Sequence, residues 1–367
     1  MTEWRNLFKL AVLIGQYLLY RMGRKKLPEV ARYYEPGLAA LDFLFGWSRR
    51  MRIVNGERCP KGGPVVFAGN HVCLDDPFAM GTAIFQLSQG GIRPHAMMRD
   101  DFFRGLPGWI KRIVDPDEVT RLIGALQISR QGAEPGQLKP FVDLLRQSHA
   151  FLIYPGRSRS RSGLFVEYRD WINSPGATSF FLAQAQEGYP EARVAAVPVA
   201  RTFNPVKKTC ALVFGAPLFL PPGADRAAQR EFDYRLVVAM SDLVEVNVAQ
   251  ILAAYVYLHS LHGFSDEMET EVLKECLRAI FGRITRRYVD PAAYADLENE
   301  IRRTLRFLAR HGVVRLRAGR VHLNREAILS VPRTIGDYRK RNPVKYLANQ
   351  ILHMSDVVRA VEQEVCR

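Results

Sequence analysis

Two short apolar stretches open the chain, and past residue 52 the pattern changes character. Leu7–Tyr20 is mostly apolar and is followed by Arg21, Arg24, Lys25 and Lys26. Leu38–Trp47 follows Pro36-Gly37 and ends in Arg49, Arg50 and Arg52. The first stretch contains Lys9 and Gln16 and falls short of the roughly 20 apolar residues that span a bilayer. It reads as an interfacial or half-inserted helix, with Trp4 and Tyr17 at headgroup depth and the basic cluster on anionic lipid. The alternative is an amphipathic helix docked on the core. A secretory signal would place positive charge first and a small-residue cleavage site after, and neither is evident.

From Arg52 onward, short apolar runs alternate with helical periodicity. Pro64–Ala68 is nearly continuous in apolar residues, as a buried strand should be, and Pro77–Leu87 then reads as a helix. Ala125–Ser129 predicts a strand, Phe141–Arg146 a helix, Ala150–Tyr154 a buried strand, and Ser179–Gln186 a helix. Val194–Ala200 and Thr209–Phe214 predict two more strands. This alternation implies an α/β layered domain with its functional loops at strand ends. After Pro221-Pro222-Gly223 the chain becomes mainly helical. Leu297, Ile301, Leu305 and Leu308 share one helix face. Val313–Leu316 and Val321–Leu323 predict a hairpin across Arg317-Ala318-Gly319-Arg320.

At 367 residues, with 48% hydrophobic and 24% charged positions, the composition is globular and allows a main domain plus a smaller one. The net charge of +15 implies an acidic partner: nucleic acid, an anionic membrane, an acidic carrier protein or a phosphorylated substrate. Five cysteines without a C-x-x-C pair read as reduced thiols facing a cytosol, with no structural zinc. The arginines of the C-terminal helix and hairpin (Arg302, Arg303, Arg306, Arg310, Arg315, Arg317, Arg320) would suit a winged nucleic-acid module. Nothing else on the chain supports that reading, and a solvated basic face is the simpler one.

The stretch richest in chemistry is Ala68-Gly69-Asn70-His71-Val72-Cys73-Leu74-Asp75-Asp76-Pro77. Pro77 suits the first turn of a helix, which places Asp76 at the N-cap and His71 on the loop after a strand. A neutral imidazole can take a proton from an attacking hydroxyl, while a carboxylate on its other nitrogen fixes the tautomer and stabilises the imidazolium. On spacing alone, Asp76 is more simply a cap and His71 a structural histidine. Cys73 raises a Cys-His nucleophile as a further option, against the default of an inert buried thiol.

Asn70-His71 with Asp76 resembles the N-H-x-x-x-x-D motif of the lysophospholipid and glycerol-3-phosphate acyltransferases, and Val54-Asn55-Gly56-Glu57 to Pro60 is similar to their lead-in. Gly124–Arg130 resembles their second motif. Tyr154-Pro155-Gly156-Arg157-Ser158-Arg159-Ser160-Arg161-Ser162-Gly163 resembles the third, F-P-E-G-T-R-S-R-S-G. Pro175-Gly176-Ala177, a helix and Val197-Pro198-Val199 resemble the fourth, and Phe214–Leu218 the usual strand exit. The similarity covers roughly Arg52 to Leu220. Tyr346–His353 faintly resembles a stretch found after the catalytic domain of glycerol-3-phosphate acyltransferases.

The resemblance implies an O-acyltransferase in which His71 deprotonates an acceptor hydroxyl and Asp76 orients His71. The acyl group would come from acyl-CoA or acyl carrier protein as co-substrate, with no cofactor and no metal. It further implies that Asn70, Arg130, Gly156, Arg157, Ser158, Arg159, Arg161 and Pro198 contact substrate. Gly156 stands where the family has glutamate, which leaves the acceptor open and raises a catalytically silent lipid- or protein-binding relative as the rival. Guanidiniums after a strand suit bidentate capture of phosphate. The expected organisation is a membrane-associating helical pair (1–50), an α/β acyltransferase domain (51–225) and a helical C-terminal region with a small basic hairpin (226–367). The expected place is the cytoplasmic face of a membrane, the inner one in a bacterium.

Overall fold

The alternation of apolar runs and helices folds as an α/β layer with a helical unit built onto one end. The computed structural model describes residues 2–23, 30–99, 107–113, 115, 118, 124–128, 135–156, 158–167, 177–187, 193–286 and 288–367. Arg24, Lys25, Lys26, Arg130, Arg157, the Trp4 side chain and Pro175-Gly176 lie outside the described residues.

The N-terminal apolar stretches become α1 (Thr2–Arg21) and α2 (Val30–Phe45), which pack on each other. α2 runs through Pro36, so the helix is longer than its apolar run. Tyr17 does not lie at headgroup depth: it is buried, donates to Glu118 at 3.1 Å and accepts from the Asp115 N–H at 2.9 Å. Leu13 is buried on the same inward side, while Phe8, Val12, Ile14, Leu18 and Met22 stay exposed. α1 therefore docks by one face and leaves an apolar face outward. No helix among the described residues is long and apolar enough to cross a membrane.

Among the described residues the main sheet has eight strands: β1 (Met51–Val54), β2 (Val65–Gly69), β3 (His95–Arg99), β4 (Ala125–Ile128), β5 (Ala150–Ile153), β6 (Ala195–Asn204), β7 (Thr209–Phe214) and the short β8 (Leu218–Phe219). Their order is β1-β7-β6-β2-β5-β3-β4, with β8 on β6. β6 pairs antiparallel with β7 and β8, and the remaining pairings are parallel. Period-two alternation distributes β2 between two cores. Val65 and Phe67 meet Met80, Ala83 and Ile84 of α3 (Asp76–Leu87). Val66 and Ala68 meet α4 (Pro135–Arg146), α5 (Thr178–Gln186) and α6 (Arg226–Asp242), through Phe141, Leu145, Phe181, Phe232 and Leu236. Because α6 covers this face, the α/β layer extends past the expected boundary at 225 to Asp242.

Beyond it, α7 (Val248–Leu261) is apolar nearly all round and forms the centre of the helical unit, as such a helix must. Its start is fixed by a capping box between Asn247 and Gln250. Around it pack α8 (Thr270–Arg283), α9 (Leu297–Arg310), α10 (Pro343–Asn349) and α11 (Ser355–Val365). The expected hairpin forms as β10 (Val314–Arg317) and β11 (Arg320–Leu323) and gains a third strand, β9 (Glu267–Glu269), in the order β10-β11-β9. α8 packs against β9 and α9 against β10. α9 turns Ile301, Leu305 and Leu308 inward and Arg302, Arg303, Arg306 and Arg310 outward.

Candidate active site

Parallel strands carry functional loops at their carboxyl ends, most usefully where successive crossovers leave in opposite directions. β2 lies between β5 and β6, so the loops after β2 and β5 and the outer half of β6 meet at one place. His71 leaves the end of β2, and its Nδ1 lies 2.7 Å from Asp76 Oδ2. That oxygen also accepts the backbone N–H groups of Val72 at 2.6 Å and Cys73 at 2.9 Å. The loop is thus folded around one carboxylate, and Asp76 is wholly buried. The other imidazole nitrogen has no hydrogen-bond partner among the described residues, and the His71 side chain keeps 21% of its surface exposed.

The expected N-cap role of Asp76 is corrected by this geometry. α3 starts at Asp76 itself, with Asp75 at the cap position and no side-chain capping bond. The Asp76 carboxylate turns back into the loop instead of covering the helix N–H groups. Asp75 receives the Trp47 Nε1–H at 2.6 Å and Arg201 at 3.1 Å. Burial would raise the Asp75 carboxyl, but hydrogen bonds and charge from Arg201, helped by Trp47, hold it below its usual range. Arg201, from β6, also donates to Asp76 Oδ1 at 2.5 Å. Burial works against the Arg201 charge, and the Asp76 carboxylate more than offsets it, so the guanidinium is held firmly protonated.

Asn70 is buried and faces β6. Its Nδ2 donates to the Arg201 carbonyl at 3.0 Å, and its Oδ1 accepts the Arg201 N–H at 2.7 Å. Cys73, Asp75 and Asp76 bring potential metal-ligand atoms within 4.8 Å of one another. Arg201 and backbone donors already engage both carboxylates. Burial, then the Asp76 charge, pushes the Cys73 thiol up to about 12, which keeps it protonated and a poor nucleophile at neutral pH.

The arginine loop after β5 joins this centre through its backbone. The Ser160 N–H donates to the His71 carbonyl at 2.7 Å, which places Arg159 and Arg161 on either side of that tie. Tyr154, at the end of β5, stacks on the imidazole with ring centroids 4.6 Å apart. Burial raises its phenol well above the ordinary range, so it meets His71 as a neutral ring. Gly156 is half-buried, and a Cβ there would find only Val166 at 4.0 Å. Glu167 closes this loop: its Oε1 accepts from the Arg161 and Ser162 N–H groups at 2.5 Å each and from the Ser162 hydroxyl at 2.7 Å. The far side of the loop rests on α10 and the turn after it: Asn349 Nδ2 donates to the Ser162 carbonyl at 2.9 Å, and Phe165 stacks on His353 of the turn at 4.7 Å.

The structure therefore brings together His71, Asp76 and Asn70, and ties the loop that carries Gly156, Ser158, Arg159 and Arg161 to the His71 backbone through Ser160. Pro198 lies inside the sheet opposite Ala68, buried and packed against Gly215. Arg130 and Arg157 lie outside the described residues. Trp47, Asp75, Tyr154, Glu167 and Arg201 join the site without having been expected there. The signal for Arg201 was the Asp75-Asp76 pair, since two adjacent carboxylates entering a buried layer need a cation.

No family model matches this chain, and no curated protein matches it. Among solved structures, it is similar to the crystal structure of the 1-acyl-sn-glycerophosphate (LPA) acyltransferase PlsC from Thermotoga maritima, at 15% sequence identity and a TM-score of 0.38. That match covers 66% of this chain and 96% of the other. At this TM-score the site's own geometry carries the functional reading.

Proposed function

We propose that this protein is an O-acyltransferase that moves a fatty acyl group from acyl-CoA or acyl carrier protein to the hydroxyl of a glycerol-phosphate or lysophospholipid acceptor. The observation that carries the reading is the 2.7 Å contact between His71 and the buried Asp76 on a strand-end loop, with Arg159 and Arg161 tied to the His71 backbone through Ser160. In this reading the free nitrogen of His71 takes the acceptor's hydroxyl proton as the oxygen attacks the thioester carbonyl. The tetrahedral intermediate then collapses, the C–S bond breaks, and the imidazolium returns the proton to the leaving thiolate. Asp76 holds the imidazole in register and stabilises its charged form, and no acyl-enzyme is required. The test is thiol release on mixing the purified full-length chain with palmitoyl-CoA or palmitoyl-acyl carrier protein and a panel of glycerol 3-phosphate and lysophospholipids. Acceptor-dependent thiol release supports the reading, and its absence across the panel favours the silent lipid-binding rival.

In the same reading the arginine loop holds the acceptor's phosphate. A charge-assisted hydrogen bond is worth about 1.5–3 kcal/mol, which at about 1.4 kcal/mol per tenfold is roughly 10- to 100-fold in affinity. Arg159→Ala and Arg161→Ala are each expected to raise the acceptor KM while the thioester KM stays nearly constant. A rise in the thioester KM instead would assign these arginines to the donor, whose CoA also carries phosphate.

The acylated product is a lipid, and exposed apolar side chains border the site. Leu74, inside the catalytic loop, is exposed, as are Phe43, Leu44 and Phe45 beside Trp47 and the outer face of α1. This surface supports insertion into one leaflet, with Arg49 and Arg50 adding attraction to anionic headgroups. Burying a phenylalanine or leucine side chain contributes roughly 1.5–3 kcal/mol. Phe8→Glu with Leu18→Glu is therefore expected to lower cosedimentation with phosphatidylglycerol vesicles by at least about 10²-fold, leaving circular dichroism unchanged. Release of the unaltered protein by high salt alone would mean that binding is electrostatic and insertion does not occur.

A further inference from the structure

β6 has apolar partners along most of its length, yet at its outer half it buries a full positive charge. Arg201 is 3% exposed. Its backbone is locked in both directions by the Asn70 side chain. Nη1 reaches Asp76 Oδ1 at 2.5 Å and Asp75 Oδ1 at 3.1 Å, and Nη2 reaches Asp75 Oδ2 at 3.4 Å. Its Nε is buried and has no hydrogen-bond partner among the described residues. The two oxygens of Asp76 thus have separate tasks: Oδ2 serves His71 and the loop N–H groups, and Oδ1 serves Arg201.

We infer that Arg201 is a positioning residue: it grips Asp76 from the side opposite His71, so that the carboxylate is fixed in direction and part of its negative charge is taken up before the imidazole meets it. Resting on the acyltransferase reading, this gives Arg201 control over how readily His71 releases its proton to the leaving thiolate. Two functions follow from one contact. Without Arg201, Asp76 Oδ1 is a buried acceptor lacking its strongest partner and the carboxylate can rotate off the imidazole. Without its charge, the carboxylates favour the imidazolium, and His71 stays protonated to higher pH.

The other groups facing this centre are neutral in the working range. Tyr154 from the end of β5, Cys73 in the loop, Cys210 on β7 and Tyr346 on α10 are all raised by burial, Cys73 and Tyr346 to about 12. Among the described residues, that leaves Asp75, Asp76, Arg201 and Arg339, with Arg159, Arg161 and Glu167 on the loop tied to the His71 backbone, as the acidic and basic groups around this centre. Arg201 is the one cation among them in direct contact with Asp76 among the described residues.

The experiment compares full-length Arg201→Met and Arg201→Lys with the unaltered chain by two readouts. The first is the pH profile of palmitoyl-CoA turnover with the acceptor the unaltered chain accepts. Arg201→Met is expected to lower kcat by about 10- to 100-fold with both KM values within about twofold, and to move the acid limb of kcat/KM to higher pH. Arg201→Lys, which retains charge, should keep the limb near its original position and recover part of kcat. The second readout is the NMR titration of the His71 imidazole, which needs no substrate. Its midpoint should rise in Arg201→Met and stay near the original in Arg201→Lys. An unmoved His71 midpoint in folded Arg201→Met overturns the inference. Should Arg201→Met fail to fold, a raised midpoint in Arg201→Lys, where the charge persists, overturns it equally. An unaltered chain without turnover sinks the acyltransferase reading, while the imidazole titration still decides the part played by Arg201.

Discussion

Replacing His71 by alanine is expected to abolish acyl transfer while the fold survives, lowering kcat by about 10² to 10⁴, the range general-base catalysis supplies. The imidazole sits on a loop, keeps 21% of its side-chain surface exposed and makes one hydrogen bond through Nδ1. Its removal takes little area from either core beside β2. The loop also keeps its shape, because Asp76 holds it through the Val72 and Cys73 N–H groups and Ser160 binds a backbone carbonyl. A cooperative unfolding curve matching the unaltered protein, together with lost turnover, is the expected pair of results. Near-original turnover in the folded variant would end the mechanism.

Gly163→Val is expected to destabilise the fold strongly where the arginine loop meets α10. Gly163 has φ +95°, a conformation open to glycine and strained for a β-branched residue. A Cβ there would run into the backbone carbonyl of Tyr346 in α10. Backbone strain and overpacking each cost about 1–3 kcal/mol, so a loss of roughly 2–6 kcal/mol is expected. The loss falls where the arginine loop rests on the helical unit, so the acceptor KM should rise with it. Gly156→Ala is the control, since its Cβ meets only Val166 at 4.0 Å. Denaturant unfolding of the two variants checks the contrast: a stability loss in Gly163→Val near that of Gly156→Ala would remove α10 as the loop's support.

Much of the layer was legible because buried parallel strands are written as short apolar runs. β2, β4, β5 and β7 fall within a residue of their expected bounds, as does the hairpin of β10 and β11. β3 was missed because His95-Ala-Met-Met-Arg lacks both alternation and β-branched residues, and β9 because Glu267-Met-Glu is too short to carry a period. The expectation for β6 stopped at Ala200 where the apolar run ends, whereas the strand continues to Asn204. That one boundary hid Arg201, since a buried charge is readable only when its partners are known. His71 and Asp76 were singled out together through the motif resemblance, whereas spacing alone left Asp76 as a helix cap, and the structure turns its carboxylate to His71 instead. Local propensity favoured a helix cap, and the tertiary demand of two loop N–H groups and an imidazole won. Tyr17 was assigned to a lipid interface from the hydropathy of its helix, and the acidic partners that bury it lie about a hundred positions away.

The central claim is that an acceptor oxygen, freed of its proton at His71, attacks a thioester. Incubating the purified chain with palmitoyl-CoA and an acceptor whose free hydroxyl carries ¹⁸O tests this directly, with the product analysed by mass spectrometry. The predicted result is an acylated acceptor that retains ¹⁸O in its new ester linkage, formed one for one with free CoA and lost in His71→Ala. Release of free palmitate in place of the ester, or the same labelled ester formed at equal rate by His71→Ala, would contradict it.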